Sequence, residues 1–310
     1  MRILLFGCTG FIGQALIPRL IKEGHELCIV SRNNLNHLKI NISLKEITFL
    51  KMNLTKESTW KDKHFINQLK TSEGIINLIG EPIADKRWTD QQKIEIEQSR
   101  VQTTRFLMDN LKSLKISPKI IINGSAIGFY GTSLDDEFTE KSPSGNDFLA
   151  KLCKAWEEEA SKKPLFTRLV IFRIGIVLGK NGGALGKMLP IFKIGLGGPI
   201  GDGKQWMSWI HRYDLCGLII NALKDKKFSG IYNAVAPKPV SMRVFTNSLA
   251  FCLKRPNLFP VPAATLKLLL GDGAKIVLEG QKVRSIKIKD NMYKFKYPRL
   301  QEALFSLTKI

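Results

Sequence analysis

The chain has 310 residues, 44% of them hydrophobic and 24% charged, the balance of an ordinary globular protein with length enough for one large domain or a domain with an appended lobe. No apolar run reaches the ~18 residues of a membrane span, the N-terminus starts directly on an apolar strand rather than a secretion signal, and five scattered cysteines (Cys8, Cys28, Cys153, Cys216, Cys252) without a C-x-x-C pair argue against disulfides or zinc and for a reducing, cytoplasmic setting. The net charge of +21 is spread without a basic block, which favours solvated lysines and a broad attraction for phosphate-bearing small ligands over nucleic acid.

Arg2 to Phe6 reads as a buried strand, followed without a spacer by Gly7-Cys8-Thr9-Gly10-Phe11-Ile12-Gly13. A glycine at a strand end permits a tight turn, a second lets a phosphate approach the backbone, and a third lets the next helix pack close. Gln14 to Lys22 has helical spacing, Gly24-His25 is its stop, and Leu27 to Val30 is a second strand, so the free N–H groups at the new helix start are placed to hold a pyrophosphate. The spacing is G-x-x-G-x-x-G. Strand two ends in Ser31-Arg32, where an NAD-preferring site offers an acid to the ribose; a hydroxyl and a guanidinium suit a 2′-phosphate, so the expected cofactor is NADP(H). The alternative for Arg32 is a solvated surface arginine.

A polar stretch, Asn33 to Ser43, precedes a strand near Ile47 to Leu50 and a helix around Phe65 to Leu69. Gly74 to Ile79 is another buried strand, and its end at Leu78, Ile79 and Gly80 lies on the cofactor side, because crevices form at the carboxyl ends of parallel strands. One long helix is expected from Thr89 to Lys112, capped by Thr89 with Gln92 three residues on. Next come strand Lys119 to Asn123, the loop Gly124 to Gly131, helix Asp147 to Lys162 and strand Leu169 to Arg173. Six strands alternating with helices predict an α/β fold, a doubly wound parallel sheet of the Rossmann kind with a smaller C-terminal lobe.

From Gly175 to Trp209 the chain is long and glycine-rich, the composition of a binding loop. A short helix lies around Leu185 to Phe192, a helix follows Trp209-Ile210-His211-Arg212-Tyr213-Asp214-Leu215, and a short strand spans Gly230 to Ala234. Helices and a Pro-rich link, Arg255 to Pro262, complete the chain. The expected division is residues 1–178 with 210–236 as the nucleotide-binding domain, and 179–209 with 237–310 as the substrate or C-terminal lobe. Trp206 and Trp209 are candidates for an apolar wall against a flat substrate, or for lobe packing. His211 is a candidate substrate contact, or a structural hydrogen-bonding group.

GCTGFIG, the Ser-Arg pair, NLIGEPI, GSAIGFYG, RIGIVLG and WIHRYDL, in that order, resemble the short-chain dehydrogenase/reductase superfamily in its extended, epimerase-like form. With GLGGPIGDG, RPNLFPVPAATLKLLLG, LEGQKV and YPRLQEAL, the chain resembles more narrowly an atypical NAD-dependent-epimerase-like group with a C-terminal domain of unknown function, often described as cell-division-inhibitor-like. The resemblance implies an NADP pocket lined by the glycine turn, by Glu95 and Arg100 as a cofactor-facing pair, and by Val177 of RIGIVLG; the alternative for Arg100 is a surface charge five residues after Glu95. It also implies a tyrosine acid/base with a lysine four residues later, whose ammonium lowers a phenol pKa of ~10. Ser125 fits the serine that orients the substrate oxygen, but no tyrosine here is followed by lysine at the fourth place. Tyr130, with Lys151 or Lys154, is the available substitute; the alternative is that Tyr130 packs the loop and both lysines face solvent.

Two functional expectations follow: an NADP(H)-dependent oxidoreductase or epimerase acting on an unnamed small molecule, or a non-catalytic NADP-binding protein that works through a protein partner, as in cell or plastid division. No metal site is expected.

Overall fold

The computed structural model describes residues 1–34, 47–291 and 293–309; most of the polar stretch from Asn33 to Ser43 lies outside them. In chain order the elements are β1 (Arg2–Phe6), α1 (Gly13–Lys22), β2 (Glu26–Ser31), β3 (Ile47–Lys51), α2 (Lys63–Thr71), β4 (Gly74–Asn77), α3 (Asp90–Glu97), α4 (Thr103–Ser113), β5 (Ile120–Ala126), β6 (Glu137–Phe138), α5 (Phe148–Ser161) and β7 (Arg168–Ile174). Then follow β8 (Ile176–Leu178), α6 (Gly183–Lys193), β9 (Trp206–Met207), β10 (Trp209–His211), α7 (Arg212–Lys224), β11 (Gly230–Ala234), β12 (Val240–Ser241), α8 (Met242–Leu253), α9 (Ala263–Leu270), α10 (Lys275–Leu278), β13 (Lys282–Val283), α11 (Lys287–Asp290) and α12 (Leu300–Thr308).

Seven strands form one sheet in the order β11-β7-β5-β4-β1-β2-β3, and every pairing in it is parallel. The six strands expected in the first 175 residues are all there, and Gly230–Ala234 adds the seventh at one edge. The order reverses between β1 and β4, so their connections leave to opposite faces and open a crevice at their carboxyl ends. Apolar residues of β1 alternate between two clusters: Ile3 and Leu5 face α1 and α7, while Leu4 and Phe6 face α2 and α4. A strand covered on both faces has no polar side, which is why RILLF is continuous. Asn77 and Asn123 are register partners on β4 and β5; the Asn77 amide donates to Asn123 Oδ1 at 2.7 Å and to Thr104 Oγ1 at 3.0 Å, satisfying polar groups within the sheet.

Some elements depart from the sequence reading. β4 ends at Asn77, and Leu78 continues only by donating its N–H to the Phe6 carbonyl at 3.0 Å. β5 runs on to Ala126 because β7 matches it residue for residue that far. The expected Thr89–Lys112 helix starts as read, with Thr89 Oγ1 accepting the Gln92 N–H at 3.2 Å, but a π-helical turn at Gln98–Gln102 interrupts it between α3 and α4. Such a turn carries one extra residue and displaces the side chains on it. A third cluster, with Leu178, Phe192, Met207, Trp209, Phe245, Leu249 and Leu304 among its members, joins α6, α8 and α12 beside the sheet. Among the described residues no helix is long and apolar enough to cross a membrane, and no group of His, Cys, Asp and Glu is arranged to hold a metal.

Candidate functional site

At the end of β1 the chain turns through Gly7, whose φ of 70° is left-handed. A Cβ there would stand 2.5 Å from Ile79 Cα, so the turn is pressed against the loop after β4. At Gly13 a Cβ would stand 1.9 Å from the Cys8 carbonyl oxygen, which lets α1 start almost in contact with the turn. Gly10 is exposed, and its absent Cβ would meet only the Gly7 carbonyl at 3.5 Å. No side chain caps α1 at Ile12 and its first turn carries no acid. The free N–H groups there, with open space over Gly10, fit a phosphate.

The Phe11 side chain has another use. Its ring lies under the Arg212 guanidinium at 4.5 Å, its carbonyl accepts from Arg212 Nη1 at 3.1 Å, and a Cβ on Gly179, Gly182 or Gly183 would stand 2.8, 2.5 or 3.1 Å from the ring. Those glycines shape the loop after β8 around Phe11, so only its backbone is free for a ligand. Val177, half-buried on β8, pairs with Ile210 and packs on the sheet core.

Thr9 Oγ1 and Ser31 Oγ are hydrogen-bonded at 3.1 Å, tying the glycine turn to the end of β2. Arg32 extends to Glu81 on the β4 loop, Nη2 to Oε2 3.2 Å, while Lys86 Nζ meets the other oxygen at 3.2 Å. Burial works to raise the Glu81 carboxyl, but the hydrogen bonds from Lys86 and Arg32 outweigh it and hold the group below its ordinary range. Its backbone N–H donates to Ser99 Oγ at 2.9 Å.

The expected Glu95–Arg100 pair does not form. Five α-helical residues already turn about 140°, and the π-helical turn displaces Arg100 further. Glu95 instead accepts from Gln91 at 3.5 Å. The Arg100 guanidinium lies beneath Gly80, where a Cβ would be 2.7 Å from Cζ, and is anchored through Nη1 to the Ile96 carbonyl at 3.2 Å and Ser99 Oγ at 3.3 Å. Burial lowers it to about 10, against the opposing charges of Cys153 and Glu81.

Ser125 and Tyr130 belong to a buried network rather than facing the crevice as free groups. Ser125 Oγ donates to Glu157 Oε1 at 2.6 Å; Arg173 grips Glu157 through Nε and Nη2, both at 2.8 Å, and donates through Nη1 to the Tyr130 hydroxyl at 2.9 Å. Tyr130 in turn donates to Asn233 Oδ1 at 2.7 Å and stacks on Phe138. Burial raises the Tyr130 phenol despite Arg173, opposite to what a tyrosine base needs. Lys151 and Lys154 are exposed on α5, the solvent alternative. Sequence reading missed Glu157 and Arg173. The signal for Glu157 was its place with Cys153, Trp156 and Ala160 on the buried stripe of α5.

Neither tryptophan forms an open apolar wall. Trp209 is 1% exposed in the third cluster, its indole donating to the Lys238 carbonyl at 3.2 Å. Trp206 donates to the Leu134 carbonyl at 2.7 Å and lies under Lys282.

His211 is the N-cap of α7: Nδ1 accepts the Tyr213 N–H at 3.0 Å, and Nε2 faces Ser306 Oγ at 3.3 Å. It also borders a pocket of about 260 Å³ with Arg19, Arg212 and Tyr297. Burial first, then the charges of Arg212 and Lys296, lowers its imidazole to about 4. Because that lies below the unfolded value of ~6.5, the unfolded chain takes up the proton first as pH falls. The stabilisation is complete above pH ~6.5 and is lost as pH drops toward 4, on the order of 2 kcal/mol after screening. Denaturant titrations across this range are expected to show a shallower loss in His211→Gln; coincident profiles would clear the imidazole.

Comparison with known proteins places this geometry. A family model described as the NAD dependent epimerase/dehydratase family matches residues 3–234, and one described as a domain of unknown function, DUF1731, matches residues 261–307. The chain is 40% identical over 306 residues to the epimerase family protein SDR39U1 homolog, chloroplastic, of Arabidopsis thaliana, covering 98% of this chain and 86% of that protein. It is 35% identical over 309 residues to the epimerase family protein YfhF of Bacillus subtilis, covering 99% and 98%. The crystal structure of the human epimerase family protein SDR39U1 (isoform 2) with NADPH superposes with a TM-score of 0.87 at 33% identity, covering 99% of each chain.

Proposed function

The chain belongs to the NAD dependent epimerase/dehydratase family, and from that premise we propose that it binds NADP(H) across the carboxyl ends of β2, β1 and β4 and serves an epimerase- or oxidoreductase-like reaction on a small molecule. The observation that carries this reading is the uncapped start of α1 beside the Thr9–Ser31 bond, with the Arg32 guanidinium at the same strand end. The α1 N–H groups take the pyrophosphate, and Ser31 and Arg32 take the 2′-phosphate. The human relative's crystal structure with NADPH supports the same cofactor. Bound NADP(H) supplies a hydride donor or acceptor. The proton that accompanies the hydride cannot pass through a Tyr-x-x-x-Lys relay, since the chain lacks that spacing.

The expected test result is a protein that binds NADPH more tightly than NADH by fluorescence titration, with Arg32→Asp weakening NADPH about 10- to 100-fold, the value of one or two charge-assisted hydrogen bonds, and favouring NADH. Binding of neither nucleotide at millimolar concentration would refute the reading.

A second reading, a non-catalytic NADP-binding protein acting through a protein partner, is favoured by one observation: the Ser125 and Tyr130 hydroxyls already serve Glu157, Arg173 and Asn233. Stereospecific hydride transfer from bound NADPH to any candidate substrate counts against it.

A further inference from the structure

Glu81 is an acid in the one place where the proposed cofactor brings its own anion. It follows Gly80 at the mouth of the crevice with a side chain only 12% exposed, and each carboxylate oxygen is held by a different cation, Arg32 and Lys86. A third, Arg100, lies against Gly80, the residue before Glu81. β2 and β4 flank β1 in the sheet, so a bridge from Arg32 to Glu81 passes over the end of β1 and the glycine turn. A phosphate presented there would meet the same arginine from the same side.

We propose that the Glu81 carboxylate is a built-in stand-in for the cofactor 2′-phosphate: it holds Arg32 and Lys86 while the crevice is empty and yields them when NADP(H) binds. The proposal rests on the NADP(H) reading above. No bond is made or broken; one anion replaces another on two cations. NADH carries no group that asks for Arg32 and leaves the pair intact, whereas NADPH must displace Glu81 and then sit beside its freed charge. Glu81 thus lowers NADPH affinity and speeds its release without affecting NADH.

The experiment is titration of the full chain and its Glu81→Gln variant with NADPH, NADH, 2′,5′-ADP and 5′-AMP, with thermal unfolding as the folding control. Removing the competitor is expected to tighten NADPH and 2′,5′-ADP about fivefold, the equivalent of the ~1 kcal/mol of a partly exposed ion pair, and to leave NADH and 5′-AMP within twofold. Adding salt should narrow the difference between wild type and variant. Weaker or unchanged NADPH binding in a folded Glu81→Gln would overturn the stand-in, since it would make Glu81 a positioning group for Arg32 or a bystander. A uniform gain for all four ligands would overturn it too. A wild type that binds no nucleotide would remove the NADP(H) reading itself. The Lys86→Gln variant is the check on a misfolded Glu81→Gln: it frees one Glu81 oxygen, and the stand-in then predicts weaker 2′,5′-ADP binding with 5′-AMP unchanged.

Discussion

Arg173→Met is expected to lower stability by about 3–5 kcal/mol, because it leaves the Glu157 carboxylate buried without its cation. The pair is enclosed, with side-chain exposures of 4% and 7%, and it is bidentate, Nε and Nη2 each at 2.8 Å from a carboxylate oxygen. The guanidinium also lies 3.3 Å from the Phe129 ring centroid and donates to Tyr130, so the substitution removes one of the two hydrogen bonds of that phenol as well. A fall of roughly 6–12 °C in the unfolding midpoint is the measurable consequence. The double change Arg173→Met with Glu157→Leu should recover much of the loss, since desolvation of two charges consumes most of what their attraction supplies. If Arg173→Met alone costs less than about 1 kcal/mol, the pair is hydrated and the network is not a closed one. Activity assays inherit this result: Ser125→Ala and Tyr130→Phe each remove a member of the same network, so lost turnover in either variant speaks to catalysis only when its stability is unchanged.

What could be read in advance depended on whether a residue's partner is near in sequence. The glycine turn was legible because strand, turn and helix are consecutive and each glycine answers a steric demand within a few residues or one neighbouring loop: Gly7 against Ile79, Gly13 against Cys8. The sheet was legible for the same reason, as apolar runs buried on both faces. The C-terminal lobe's elements gave weaker patterns: α9 buries no residue fully, and β9, β12 and β13 have two residues each. The contacts that could not be read in advance are those whose partners lie far along the chain. Tyr130 finds Asn233, Trp206 finds Leu134, and Arg32 finds Glu81. The setting of Arg100 was hidden for a local reason: a π-helical turn leaves no trace in apolar spacing, and its added residue carries the guanidinium further round from Glu95, to Gly80.

The glycine turn also yields the sharpest separation of folding from binding, through two one-methyl changes three residues apart. Gly13→Ala is expected to cost at least about 4 kcal/mol, beyond the usual overpacking penalty of 1–3 kcal/mol. Its Cβ would fall 1.9 Å from the Cys8 carbonyl oxygen and 2.3 Å from both Cys8 C and Cα, and backbone has no rotamer to give way. Cys8 is fully buried, and α1 is fixed from behind by Leu16, Ile17 and Leu20, so the helix cannot retreat without opening the core. Any helix movement would also carry the N–H groups of Phe11, Ile12 and Gly13 away from a phosphate. Gly10→Ala has room: its nearest foreign atom is 3.5 Å away, so the fold is expected to stand within about 1 kcal/mol. The methyl would, however, fill the space a pyrophosphate uses, and NADPH affinity should fall tenfold or more. Thermal unfolding and NADPH titration of both variants decide the matter together. A stable Gly13→Ala would mean that α1 does not pack on the turn this closely, and a Gly10→Ala that binds NADPH like wild type would mean that the phosphate lies elsewhere.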